Sequence, residues 1–406
     1  MNMYSGKQTF KLFTGTVLLA ALTALAPVQA QTQKAKPALV QQANQVLDLA
    51  VKQYKLMAQH LPDSLLPRST NTDGSLMTSN SRWWCSGFYP GTLLYLYEYK
   101  KDASLKTEAL KRLALIENEK NNKGTHDLGF MMYCSFGNAY RLFKDPAYKE
   151  VLLTSARSLC TRFNPTVGCI KSWDHGAFTF PVIIDNMMNL ELLTWASRTS
   201  GDGSFAKIAK THANTTIKNH FRPDYSSYHV IDYDGATGAV LQKKTHQGAA
   251  DSSAWSRGQA WGLYGYTMMY RETKDKAYLD QAKHIADFIL NNPNLPEDMI
   301  PYWDYDAPGI PDVPRDASAG AVAASALLEL SRYTTGKDAT RYWKAAEKML
   351  TSLSSPAYLA KEGENNDFIL MHSVGSFPHK SEVDVPLSYA DYYFVEALLR
   401  YKQWGK

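Results

Sequence analysis

Cysteine is scarce: Cys85, Cys134, Cys160 and Cys169 are the four in 406 residues. They are too few and too scattered for a disulfide-dense scaffold, and none has zinc-ligand spacing. Cys160 and Cys169 could form a bridge in an oxidising compartment, with buried free thiols as the equal alternative. A block of Lys or Arg is also missing, and the formal charge of +5 is modest for this length. That argues against nucleic acid as a partner and suits an anionic sugar. No residue constellation for a metal or cofactor stands out, so none is expected. Nor does the apolar run from Leu12 to Pro27 reach the ~20 residues of a membrane span, and Thr14, Gly15 and Thr16 interrupt it. Lys7 and Lys11 precede the run and Val28-Gln29-Ala30 follows it, the three-part layout of a cleavable secretory signal over residues 1–30. The expected product is one domain, 31–406, in the periplasm or outside the cell.

Aromatic side chains, by contrast, are plentiful, with 9 Trp, 25 Tyr and 15 Phe. They are distributed over about a dozen helical segments that recur as pairs, one member rich in aromatic and small residues and the next plainly amphipathic. A similar join recurs between pairs, in which a basic residue or Gly closes one helix and Asp opens the next. Asp102, Asp145, Asp202, Asp275 and Asp338 are therefore read as helix N-caps. Helices such as Phe205 to His220 and Tyr342 to Leu353 carry one apolar face, whereas Met187 to Ala196 and Ala319 to Leu330 are apolar nearly all round and must be buried on both sides. Roughly six pairs would close into an all-α (α/α)6 toroid. An open solenoid is the alternative, but it needs polar capping repeats that neither end supplies. Tyr228 to Thr245 departs from the helical pattern and reads as a short β-hairpin.

In such a toroid the inner helices begin at one rim, where their free N–H groups and positive dipole ends favour an anionic ligand. Four segments stand at inner-helix starts. Thr125-His126-Asp127-Leu128-Gly129-Phe130 offers Asp127, which could equally be a cap. Asp185 follows the apolar stretch Phe180 to Ile184, so desolvation would raise its pKa and keep it protonated near neutrality. Trp255, Arg257 and Trp261 lie within about two turns of one helix start, combining stacking faces with a group that can fork onto a carboxylate. Trp83 and Trp84 precede the Gly-rich start Gly87-Phe88-Tyr89-Pro90-Gly91, where core packing is an even alternative.

With these segments in hand, the chain resembles family 88 of the glycoside hydrolases, the unsaturated glucuronyl hydrolases, from about Arg82 to Tyr401. The likeness rests on HDLGF at 126–130, IIDNMMNLELL at 183–193, WSRGQAW at 255–261 and DVPLSYADYYFVEALLR at 384–400. It implies an (α/α)6 barrel and hydration of the C4=C5 double bond of an unsaturated uronic acid at the end of an oligosaccharide, rather than attack at the anomeric carbon. It further implies Asp185 as general acid/base and Asp127 as the second essential carboxylate. Trp84, His126, His229, Gln247, Trp255, Arg257, Trp261 and Tyr392 would contact substrate, with Arg257 serving the uronate carboxylate and Tyr393 as the alternative to Tyr392. Ser373, Ser376 and Lys380 resemble a region where some members bind sulfate, although the spacing of Lys380 departs from that pattern and a solvated loop is the equal reading. A pectin-directed hydrolase of the same fold, an inverting glycosidase and a non-catalytic sugar-binding protein are the rival readings.

Overall fold

A computed structural model of the chain describes residues 1–6, 9 and 33–406. Most of the expected signal segment, residues 7–8 and 10–30, lies outside these residues. From α1 onward the chain alternates outer and inner helices. The pairs are α1 (Pro37–His60) with α2 (Phe88–Lys100), and α3 (Ala103–Ile116) with a π-helical turn, Gly129–Gly137, that continues as α4 (Asn138–Phe143). Next come α5 (Pro146–Cys160) with α6 (Asn186–Ser200) and α7 (Gly203–His220) with α8 (Ser256–Thr273). The last are α9 (Lys276–Asn291) with α10 (Ala317–Ser331) and α11 (Gly336–Leu353) with α12 (Ser388–Trp404).

The inner members pack in sequence around a ring, and α12 closes it against α2. The ends of the array meet as well: the Ala35 amide donates to the Gly405 carbonyl (2.9 Å) and the Lys36 amide to the Tyr401 hydroxyl (2.7 Å). Closure removes the need for polar capping repeats, so the (α/α)6 toroid expected from the repeat is the fold observed. Burial follows the same logic. Every residue of α10 is buried, whereas α11 buries one face only.

The joins explain why the helices turn back so tightly. Residues 101, 144, 201 and 274 (Lys, Lys, Gly and Lys) adopt left-handed φ of 57° to 80°, which ends each inner helix. The following Asp102, Asp145, Asp202 and Asp275 each accept a backbone N–H of the next helix at 2.8–3.0 Å. The fifth expected cap is a correction. Asp338 lies inside the first turn of α11, behind Thr335, and pairs with Lys283 (2.8 Å); here Gly336 moves the helix start ahead of the Asp. All four cysteines are free thiols, Cys160 and Cys169 included.

These short joins occupy one face of the toroid, and the long outer-to-inner connections occupy the other. Every strand among the described residues belongs to the second set. β1 (Leu66–Thr70) pairs with β2 (Leu76–Ser79), and β3 (Phe163–Asn164) with β4 (Cys169–Ile170). β5 (Pro181–Ile183), β6 (Val230–Tyr233) and β7 (Val240–Lys244) form an antiparallel sheet, and β8 (Ser373–Ser376) pairs with β9 (Ser381–Val385). The expected hairpin at 228–245 is therefore present, and β5 joins it by pairing Ile183 with Val230.

Three layers fill the ring. The strand-rich rim holds polar side chains at the inner-helix starts. Beneath it lies an aromatic layer of Phe88, Phe130, Trp261, Tyr389, Tyr392 and Tyr393, of which Trp261 and Tyr389 also border the rim, with neighbouring ring centroids 5.0–6.4 Å apart. Toward the far end the inner helices converge on an ionic cluster. Arg271 pairs with Glu329 (2.9 Å) and Glu191, and Arg400 reaches Glu329 and Glu396 (3.3 Å each). Arg271, in the last turn of α8, also offsets the negative dipole end of that helix. A cavity of about 360 Å³ sits at this end, bounded by Tyr95, Glu191, Arg198, Tyr264, Tyr392 and Arg400.

Close backbone approach holds the ring together. A Cβ on Gly129 would stand 2.4 Å from the Asn189 Cα, and one on Gly265 would stand 2.6 Å from the Met187 Cβ. Alanine improves helix propensity by about 1 kcal/mol over glycine, yet overpacking costs roughly 1–3 kcal/mol and more when backbone must shift. Gly265→Ala is therefore expected to lower the urea midpoint with an unchanged slope. An equal or higher midpoint would show that α6 and α8 are not packed this closely.

Candidate active site

Asp185 occupies the N-cap position of α6, but with φ −55° and ψ −28° it is already helical, and its carboxyl makes no capping bond. Capping therefore does not account for this residue. The β5–β6 pairing delivers it to the rim, with the Ile184 amide donating to the His229 carbonyl (3.1 Å) one residue earlier. Asp185 Oδ2 has no hydrogen-bond partner and lies 3.6 Å from His229 Nε2. Burial pushes the carboxyl up to about 7; the Arg257 charge opposes this and Asp127 adds to it. The side chain keeps 12 % exposure and that of Asp127 keeps 16 %, so both carboxyls are reachable from the rim.

Asp127 is fixed by its own neighbour. Thr125 Oγ1 accepts the Asp127 amide (3.0 Å) and donates to Asp127 Oδ2 (2.9 Å), leaving Oδ1 to face His126 Nε2 at 3.3 Å. It is not a cap either, because the helical segment begins beyond it with Leu128 at the N-cap position. Burial lowers the pKa of His126 and keeps the ring neutral, and its Nδ1 is unpartnered.

The tautomer of His229 follows from its bonds. Nδ1 accepts the amides of His246 (3.2 Å) and Gln247 (3.1 Å), so in the neutral ring the proton resides on Nε2, the atom facing Asp185. Burial drives its pKa well below the usual value and keeps it neutral. Trp255 lies between His229 (centroids 4.5 Å apart) and the Arg257 guanidinium (4.5 Å). The side chain of Gln247 donates to the Gly375 carbonyl (2.8 Å), tying its loop to β8.

Arg257 differs from the sequence expectation. Its Nη atoms are taken by Asp316 (3.0 Å) and by the carbonyls of Val374 and Gly375 (2.6 Å to Gly375). Only Nε lacks a partner, so this conformation presents no two-toothed grip on a uronate carboxylate. Tyr392 is a second correction. Its hydroxyl accepts from Asn138 (3.0 Å) and meets Tyr95, facing the far-end cavity and not the rim. The residue that reaches the rim from α12 is Tyr389, 4.9 Å from half-buried Trp84 and 5.3 Å from the Arg257 guanidinium. A start-of-helix position one turn before Tyr392 was the available signal.

Trp261 is fully buried with an unpartnered indole N–H close enough to Asp185 to favour its charged form. Asn189, unnoticed in the sequence, holds the Phe130 amide by Oδ1 (3.0 Å) and leaves Nδ2 free. Ser373 is buried with a free Oγ, Ser376 is bonded to His379 Nδ1 (2.7 Å), and Lys380 is exposed in the β8–β9 turn. Buried polar atoms without partners are uncommon in a folded protein. Here Asp185, His126, Asn189, His229, Arg257 and Trp261 each bring one buried polar atom without a protein partner to the same rim, which gives that rim hydrogen-bonding capacity suited to a polar ligand. Among the described residues no group of three His, Cys, Asp or Glu side chains is placed to hold a metal ion.

No family model matches the chain. It is 50% identical over 323 residues to an unsaturated glucuronyl hydrolase of Formosa agariphila, covering 79% of this chain and 80% of that one. It is 32% identical over 376 residues to an unsaturated chondroitin disaccharide hydrolase of Streptococcus agalactiae, covering 89% and 92%. A crystal structure of an unsaturated glucuronyl hydrolase specific for heparin superposes with a TM-score of 0.87 at 52% identity, over 89% of this chain and 97% of that one. The helical ring, the paired carboxyls at its rim and these likenesses agree, and the chain belongs to the unsaturated glucuronyl hydrolases, family 88 of the glycoside hydrolases.

Proposed function

We propose that the protein removes a 4,5-unsaturated uronic acid from the non-reducing end of lyase-generated glycosaminoglycan oligosaccharides by hydrating the C4=C5 double bond. The observation that carries this reading is the Asp185 carboxyl: buried, free at Oδ2, and pushed up to about 7, so a proton is available at neutral pH. In the reaction Asp185 gives that proton to C4 while charge develops toward C5. Water adds at C5, and the resulting carboxylate takes the proton the water releases. The C5 hemiketal then opens, the bond to the leaving sugar breaks, and the leaving oxygen is protonated. Asp127 holds ring hydroxyls. His126, His229 and Trp261 offer unpartnered ring nitrogens to the sugar, and Trp84 and Trp255 wall the site. Arg257 Nε and the positive starts of the inner helices serve the uronate carboxylate.

Heparin-type disaccharides are the first substrate class to test, because the relative named for heparin is 52% identical and those named for chondroitin disaccharide about 32%. Ser373, Ser376 and Lys380 would meet a sulfate on the leaving sugar. Export, with a mature chain starting near Gln31, rests on the sequence pattern and is tested by N-terminal sequencing of protein recovered from the periplasm or medium.

The deciding assay follows the ultraviolet absorbance of the conjugated double bond when enzyme meets unsaturated disaccharides from heparin, chondroitin and hyaluronan. In deuterated water one deuterium should appear at C4. Unchanged absorbance with all three, or turnover of saturated analogues, would remove the reading in favour of a sugar-binding protein or an inverting glycosidase. Preference for pectin fragments would move the protein to a different substrate class within the fold.

A further inference from the structure

Asp316 caps α10, but capping uses only half of its carboxylate. Oδ1 accepts the Ser318 amide (3.0 Å), the Ser318 hydroxyl (2.5 Å) and the Val374 amide (3.3 Å). Oδ2 is spent on Arg257 Nη1 (3.0 Å), and both partners are buried, at 0 % and 2 % side-chain exposure. The caps at the opposite face of the toroid are different: Asp202 and Asp275 are exposed and Asp102 and Asp145 half-buried. A neutral Ser or Asn would cap α10 as well, so the charge at this position answers to Arg257.

We propose that Asp316 is a positioning residue for the reaction: it holds Arg257 against β8 and offsets its charge beside Asp185, so that the acid stays loaded. Resting on the hydrolytic reading above, the proposal names the group that sets its pH range. The groups that face Asp185 are Arg257 and Trp261 from α8, His229 just before β6, and Asp127 from the segment before the π-helical turn, with His126 beyond Asp127. Arg257 in turn faces Asp316 from α10 and Tyr389 from α12, with Glu382 of β9 beyond Tyr389 and His246 beyond His229. Burial keeps both His126 and His229 neutral. Arg257 lies 4.5 Å from the Trp255 ring, which packs on His229, the direct neighbour of Asp185, and its charge favours the ionised form. Removing the Asp316 charge leaves that pull unopposed.

Asp316→Asn and Asp316→Ser both retain a cap and should fold. In either, the alkaline limb of kcat/KM should move down by about one pH unit, giving roughly tenfold loss at alkaline pH and little at acidic pH. Carbon NMR titration of the Asp185 carboxyl in ligand-free protein, assigned by its absence in Asp185→Asn, should show the same downward shift. Arg257→Met should shift it upward. Folded Asp316 variants with an unmoved titration, or with a uniform loss at every pH, would overturn the proposal. Should neither Asp316 variant fold, a downward or absent shift in Arg257→Met overturns it alone. A shifted carboxyl in a protein that hydrates no unsaturated disaccharide would instead sink the hydrolytic reading and leave this coupling standing.

Discussion

Asp185→Asn lowers kcat on unsaturated disaccharides by about 10²–10⁴-fold, the range typical of a lost general acid, while ligand affinity stays within about threefold. The asymmetry follows from the geometry. An amide keeps the size of the carboxyl and can still meet His229 Nε2–H, 3.6 Å away, through its oxygen. It cannot deliver a proton to carbon and then take one from water. Single-turnover rates combined with calorimetric binding of a disaccharide separate the two effects. Equal losses in affinity and rate would mean that Asp185 only binds sugar, and an unaffected rate would move the acid to Asp127.

Raising the pH should have the second large effect, on stability between about 4 and 7 and on activity above about 7. If the reacting form is the protonated acid, kcat/KM falls as pH rises through about 7 and continues down tenfold per unit. Stability moves in the same direction. The folded-state value of about 7 lies above the ordinary 3.8, so the native protein holds a proton that the unfolded chain has already released. The contribution is complete below about 4, is lost progressively as pH rises toward 7, and is gone above it. Roughly three units correspond to something on the order of 4 kcal/mol. Asp185→Asn lacks this titration and should gain stability relative to wild type between pH 4 and 7, keeping the gain above. Chemical denaturation of both proteins at pH 5 and 8 checks the sign. A wild-type advantage that grows with pH would show that the carboxyl is ionised and well solvated.

The helix pairs were legible because their causes are local: a left-handed residue, an Asp cap and a one-sided or all-round apolar pattern can each be read from a few neighbours. Asp185 was legible for the same reason, since the apolar run before it foretold desolvation. What escaped the sequence depends on contacts between distant segments. The Arg257 nitrogens are claimed by Asp316 and by β8, about sixty and more than a hundred residues away, and no local pattern announces that. Tyr392 and Tyr389 share one helix and similar surroundings in the sequence; only the ring decides that the first looks toward the far-end cavity and the second toward the rim. Asp338 shows the limit of a local rule, because a single Gly displaced the helix start.

The close-packed aromatic layer beneath the rim makes the ring a cul-de-sac. A saccharide cannot thread through it, so only the terminal unit can be offered to Asp185, and both the freed uronate and the shortened remainder must leave by the mouth they came in. Each cut thus ends with complete disengagement, and because the remainder no longer carries a C4=C5 double bond, each chain end is processed once.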